Sequence, residues 1–180
     1  MVEGPSDRSL MEAIWSRRKE FIQSYYHLAV IDAGSKDVVP VWCKTLRTMG
    51  IPAFGLVDLD FLWQGAGKCL KDDPDLSRFC EQFWSLAQDQ GLCEKGKMPK
   101  GKKREAFRLI CDHLNDEKEK LRQRLKERQI WVLNEGEIET YFGLTESSKG
   151  KYTSISQKIR DGNERIPQEL QDILKWTVSS

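Results

Sequence analysis

Three short acidic clusters stand out along the 180-residue chain: Glu3 with Asp7, Asp58 with Asp60, and Glu137 with Glu139. Carboxylates brought to close quarters raise one another's pKa and cost several kcal/mol when desolvated, so a pocket that gathers them needs compensating positive charge. Hard divalent cations supply it. Oxygen-only ligation points to Mg2+ or Mn2+, which complete their shells with water and phosphate oxygens. Two such ions ~3.5–4 Å apart activate a water and stabilise the leaving oxygen of an in-line displacement on a phosphodiester, with no protein nucleophile. No G-x-S-x-G elbow and no Cys/His pair offers a competing covalent route.

Composition removes several other classes. Lys and Arg number 29 against 28 Asp and Glu, a formal charge of +1, so a nucleic-acid or membrane partner would have to be met by a local patch. The five cysteines, Cys43, Cys69, Cys80, Cys93 and Cys111, form no C-x-x-C, and only His27 and His113 could join them in a metal site. Neither a disulfide framework nor a zinc ribbon is expected, and reduced thiols suit a cytoplasmic protein. No apolar run approaches the ~18 residues of a membrane span, and no signal peptide is visible. Gly65-Ala66-Gly67-Lys68-Cys69 is rejected as a P-loop, because Leu62 stands at the earlier glycine position and Cys69 where the metal-binding hydroxyl belongs.

The elements that must position the acids follow an α/β rhythm. Val2-Glu3-Gly4 reads as the end of a strand whose beginning is missing, so the chain is expected to be a piece of a longer protein. A helix capped by Ser6 or Asp7 follows, with Leu10, Met11, Ile14 and Trp15 on one face. His27 to Asp32 suits a buried strand that leads into a helix through Trp42 and Leu46 to Gly50, and Ile51 to Asp58 suits a second. Strands separated by helices argue for a parallel sheet whose functional groups gather at the carboxyl ends. Alternate residues of an extended segment share a side, so Asp58 and Asp60 are expected to point the same way.

The next convincing strand, Ile130 to Leu133, lies about seventy residues on, far beyond an ordinary crossover. A helical insertion fills the gap. Leu76, Phe79, Cys80, Phe83, Trp84 and Ala87 mark one helix; Phe107, Ile110, Leu114, Leu121 and Leu125 mark a second, longer one. Between them Lys95 to Arg104 carries six positive charges and no acid, on an irregular stretch with Gly and Pro. Its plain reading is a soluble loop; its functional reading is salt-sensitive phosphate contact through Lys97, Lys100, Lys102, Lys103 and Arg104. The expected divisions are 1–64 for the first part of the core, 65–128 for the insertion and 129–180 for the last strand and C-terminal helices.

Val2-Glu3-Gly4-Pro5-Ser6-Asp7, Val57-Asp58-Leu59-Asp60 and Gly136-Glu137-Ile138-Glu139 resemble the acidic motifs of the Toprim domain, shared by topoisomerases, bacterial primases, recombination proteins and the OLD (overcoming lysogenization defect) nucleases. The resemblance implies an α/β, Rossmann-like fold: a central, mainly parallel sheet flanked by helices, with an α-helical insertion. Primases and topoisomerases usually place a third acid two residues after the D-x-D; here that position is Leu62, which favours the OLD-like branch. That branch implies metal-dependent DNA cleavage and an N-terminal ABC-type ATPase attached to the chain, and a homo-oligomer stays open. It also implies Glu3, Asp7, Asp58, Asp60, Glu137 and Glu139 as metal ligands, with Glu3, Asp58 and Asp60 catalytic. The family's C-terminal lysine near the scissile phosphate is matched by Lys151, with Lys149 a weaker candidate and a nucleic-acid contact. A primase-like nucleotidyltransferase and a non-catalytic DNA-binding module are the alternatives.

Each motif alone has a plainer reading. Glu3-Gly4-x-x-Asp7 could be a helix N-terminus with an acid favoured by the dipole, and Asp58-Leu59-Asp60 the cap of a turn. Glu135 and Glu146 are expected to be solvated, His113 structural, and the alternating charges from Asp116 to Arg128 a solvated helix face held by i,i+4 pairs.

Overall fold

The computed structural model describes residues 1–17, 29–94, 96–144 and 152–179. Its named strands are short: β1 (Gly55–Val57) and β2 (Ile130–Val132) pair in parallel, with Gly55 opposite Ile130 and Val57 opposite Val132. Backbone bonds carry the pattern two segments further. The Met1 nitrogen donates to Phe54 O at 2.6 Å and Leu56 N–H to Met1 O at 2.9 Å, which lays residues 1–3 beside β1. On their other side Val2 N–H donates to Ile31 O and Ala33 N–H to Val2 O, both at 2.9 Å. The extended segments therefore stand in the order 31–33, 1–3, 55–57, 130–132. The strand expected over 51–58 shrinks to three residues, while residues 27 and 28 of the other expected strand lie outside the described region.

Alternation along this sheet feeds two cores. Leu56, Trp131 and Leu133 join Val2, α1 (Pro5–Ser16), α7 (Tyr152–Arg160) and α8 (Gln168–Ser179) in one cluster. Val57, Ile130 and Val132 join the other, with α2 (Val39–Thr48), the short α3 (Phe61–Gln64), α4 (Pro74–Asp89), α5 (Lys103–His113) and α6 (Asn115–Glu127). The stretch read as an insertion thus builds the core of one sheet face. A methyl added at Gly55 would lie 2.7 Å from Val39 and 2.5 Å from Ile130, so the glycine sets how closely α2 approaches the strand.

Two local readings change. The single helix expected through Phe107 and Leu125 is two, broken at Leu114 (φ −128°, ψ 29°), beyond which Asp116 and Glu117 occupy a new first turn where the helix dipole favours acids. The charges on α6 reach other elements more than one another. Arg124 Nη1 meets Asp73 Oδ2 at 2.6 Å, and Arg122 pairs with Glu169 on α8. Lys118 is buried, 2% exposed, with Nζ 2.6 Å from Asn134 Oδ1. Glu169 also accepts from Trp131 Nε1 at 2.9 Å, from Asn134 N–H at 3.1 Å and from the Tyr141 hydroxyl, pinning α8 to the end of β2.

Candidate metal centre

The carboxyl ends of the parallel segments bring the acids to one edge. Glu3 follows the segment at Val2, and its Oε1 accepts from Asp58 N–H at 2.8 Å. Beyond β1 the chain turns: Phe61 N–H donates to Asp58 O at 3.1 Å, and Asp60 takes helical angles (φ −65°, ψ −13°). Asp58 and Asp60 therefore converge through a turn over the buried Leu59, and not through the extended alternation expected from their spacing. Leu59 N–H donates to Gly136 O at 2.8 Å, which ties the D-x-D turn to the G-E-I-E segment. Gly136 has φ +119°, and a Cβ there would stand 2.5 Å from the Phe107 ring, so only glycine fits this crossing.

Glu3, Asp58 and Asp60 each offer a carboxylate oxygen within 4.8 Å of the other two, close enough to share one cation. Glu137 joins them through Lys103, whose Nζ lies 3.2 Å from Asp58 Oδ2, 3.1 Å from Asp60 Oδ2 and 2.6 Å from Glu137 Oε1. Lys36 Nζ makes a second cation contact, 2.5 Å from Asp60 Oδ2. The other oxygen of Asp60, a residue only 2% exposed, has no hydrogen-bond partner among the described residues. A buried carboxylate oxygen without a donor is costly, and a divalent cation is the group its chemistry accepts. The donor set fits Mg2+ or Mn2+: carboxylates, with no thiol or imidazole among them.

Asp7 stands in the first turn of α1 and serves the helix as well, since its Oδ2 accepts from Gly4 N–H at 3.0 Å. Its plain reading as an acid at a helix start and its place beside the cluster hold together. Burial, then the charges of Asp58 and Glu139, push its carboxyl up to about 8. Burial is also the first cause at Glu3, reinforced by Asp60 and Asp7 and opposed by the Asp58 N–H and Lys36; its carboxyl rises to about 7. Asp58 is held well above the usual carboxylate range by burial and by Glu3. At Lys103 burial works against the ammonium, yet Asp58, Asp60 and Glu137 more than offset it and hold the pKa above the ordinary lysine value. Glu139 lies at the Asp7 side and accepts from the Tyr152 hydroxyl at 3.1 Å.

The basic stretch divides. Lys97 is exposed, Lys102 pairs with Glu105 at 3.0 Å, Arg104 donates to Leu144 O at 2.7 Å, and Lys103 turns inward to the acids. Lys149, Lys151, Glu146, His27 and the side chain of Lys100 lie outside what is described. Glu135 and His113 are exposed. Sequence reasoning missed Lys36, Tyr152 and the inward role of Lys103. For Lys103 a signal existed: it falls on the same helical face as Phe107, Ile110 and Leu114, and its Nζ lies 5.5 Å from the Phe107 ring centre.

Carboxylates gathered where parallel segments end, between two layers of helices, define an α/β protein whose sheet edge carries a candidate cation site. Residues 1–60, a third of the chain, match the family model described as Overcoming lysogenization defect protein-like, TOPRIM domain. Over these residues the chain is similar to that family's Toprim domain, and the similarity suggests nuclease- or primase-like chemistry. It spans Glu3, Asp7, Asp58 and Asp60 and ends before Glu137 and Glu139, whose link to the site is geometric. Compared with curated proteins and with solved structures, the chain finds no match. Among the described residues no helix is long and apolar enough to cross a membrane.

Proposed function

We propose that the protein is a metal-dependent nuclease that hydrolyses phosphodiester bonds in DNA with two divalent ions, Mg2+ or Mn2+. The observation that carries this reading is the convergence of Glu3, Asp58 and Asp60 within 4.8 Å, with a buried Asp60 oxygen left without a donor. Glu3, Asp58 and Asp60 would hold one ion, and Glu137, Asp7 and Glu139 extend the carboxylate set toward a second. The ions supply water activation and stabilisation of the leaving oxygen.

The chain's own residues do the rest. The Asp58 N–H fixes the Glu3 carboxylate, and the Gly136 carbonyl fixes the D-x-D turn, so the acids are oriented before any ligand arrives. Lys36 supplies positive charge beside Asp60, where a phosphodiester's extra negative charge would develop. Lys151, or Lys149, is assigned to the scissile phosphate, and Lys97, Lys100, Lys102 and Arg104 to phosphates further along the strand. An attached ATPase, self-association, a cytoplasmic site of action and the division at 64 and 128 belong to the same reading.

Plasmid nicking tests it. Supercoiled plasmid should be converted with Mg2+ or Mn2+, not in EDTA, and Asp58→Ala should abolish conversion. Cleavage that survives Asp58→Ala places the activity elsewhere.

A further inference from the structure

Lys103 is the first residue of α5, directly after the turn at Lys100–Lys102, and it belongs by sequence to the inserted helices. Its ammonium has three protons to donate and meets three carboxylates, Asp58 at 3.2 Å, Asp60 at 3.1 Å and Glu137 at 2.6 Å. Those acids come from two different strand ends, so a single lysine from the insertion holds the two halves of the site together. Lys36, by contrast, touches Asp60 from the turn that follows residues 31–33. Lys103 thus engages two of the three carboxylates, Asp58 and Asp60, that converge within 4.8 Å. A fixed ammonium 3 Å away and a doubly charged ion on the same oxygens repel strongly in a partly buried pocket.

We propose that Lys103 is a built-in counter-ion that competes with divalent metal for Asp58, Asp60 and Glu137, so that metal entry expels Lys103 and links the start of the helical insertion to metal loading. This rests on the reading that these acids bind a divalent cation. In the metal-free protein the lysine neutralises a cluster that would otherwise repel itself. When metal takes over that neutralisation, the released ammonium stands at the rim of the site, next to the basic stretch, where it can meet a phosphate oxygen.

The test uses Mn2+ alone as probe and the whole chain. Amine-selective acylation of the wild-type protein, mapped by peptide mass, should label Lys103 several-fold more in Mn2+ than in EDTA. Unchanged or reduced labelling overturns the proposal without needing any variant. In a Mn2+ binding titration Lys103→Met should bind on the order of tenfold tighter, because the competing charge is gone. Equal or weaker binding by the variant overturns the competition while leaving the metal site standing; no Mn2+ binding by either protein overturns both readings. Thermal unfolding separates competition from a merely structural ion pair. Competition predicts that Lys103→Met is less stable than wild type in EDTA and that Mn2+ closes the gap; an equal loss in both conditions overturns it. Lys103→Gln, refolded in Mn2+, carries the same expectations should the methionine variant fail to fold in EDTA.

Discussion

Raising the pH of the metal-free protein should weaken it over the range where most proteins are insensitive. Glu3 and Asp7 have folded pKa values of about 7 and about 8, above their unfolded values of 4.5 and 3.8. Between those limits the folded state holds protons that the unfolded chain releases, so stability is present at low pH and is lost as pH rises through the folded values. Ordinary carboxyls are ionised in both states above pH 5.5, which leaves the shifted acids Glu3, Asp7 and Asp58, the last acting in the same direction. At ~1.4 kcal/mol per pH unit per proton, the intervals from pH 5.5 to the folded values of Glu3 and Asp7 set a ceiling of ~5 kcal/mol for those two. Both side chains keep some solvent contact, so the expected loss by pH 8.5 is on the order of 2–3 kcal/mol. Urea denaturation in EDTA at pH 5.5, 7 and 8.5 measures it. Mn2+ at a hundred times its Kd should restore ~2.7 kcal/mol at the high-pH end, where the acids are ionised and bind best. Glu3→Gln with Asp7→Asn should flatten the slope. Stability in EDTA that is flat or rises between pH 5.5 and 8.5 would refute the placing of these two acids in a crowded, partly buried cluster.

Gly136→Ala forces a methyl against the Phe107 ring and a side chain onto φ +119°, so it should cost on the order of 3 kcal/mol in thermal unfolding and lower Mn2+ affinity by shifting Glu137. Glu169→Ala leaves Arg122, Trp131 Nε1 and Asn134 N–H without their shared acceptor; a loss of roughly 3 kcal/mol in urea denaturation, with Mn2+ affinity unchanged, is the expected result. Neutralising Lys97 and Lys100 together should weaken DNA binding equally for unrelated sequences and reduce the slope of log K against log salt by up to ~2, as a filter-binding series would record. An unchanged slope assigns both lysines to solubility.

The acids were legible in the sequence and the cations were not, for a physical reason. A carboxylate at the end of a strand is announced locally, by an apolar run followed by an acid, and Glu3 and Asp58 stand in that position. Even so, spacing alone misjudged how Asp58 and Asp60 come together: the extended alternation that would align them gives way to a turn, because Leu59 is buried between them and donates to Gly136. The strands are likewise shorter than their apolar runs, since an apolar run fixes burial but only a partner fixes where pairing stops. The match over residues 1–60 carries the Toprim assignment of the first two motifs, while Glu137 enters the cluster through contacts that no local pattern contains.

Lys103 is the sharper case. Within a run of six positive charges it is indistinguishable by type from its neighbours, and counterion chemistry assigns them all to solvent or to phosphate. What separates it is phase: Lys103 shares a helical face with Phe107 and Ile110, both buried, whereas Arg104 and Glu105 are exposed. A lysine on the apolar side of a helix start must either reach past the core to water or find acids, and here the acids lie within reach. Lys118 obeys the same rule between Leu114, Leu121 and Leu125, ending on Asn134. Position on the helical wheel, taken together with charge, is therefore what distinguishes a cation that serves the interior from one that serves a ligand. In this protein that distinction places the first residue of α5 against the D-x-D turn at the sheet edge.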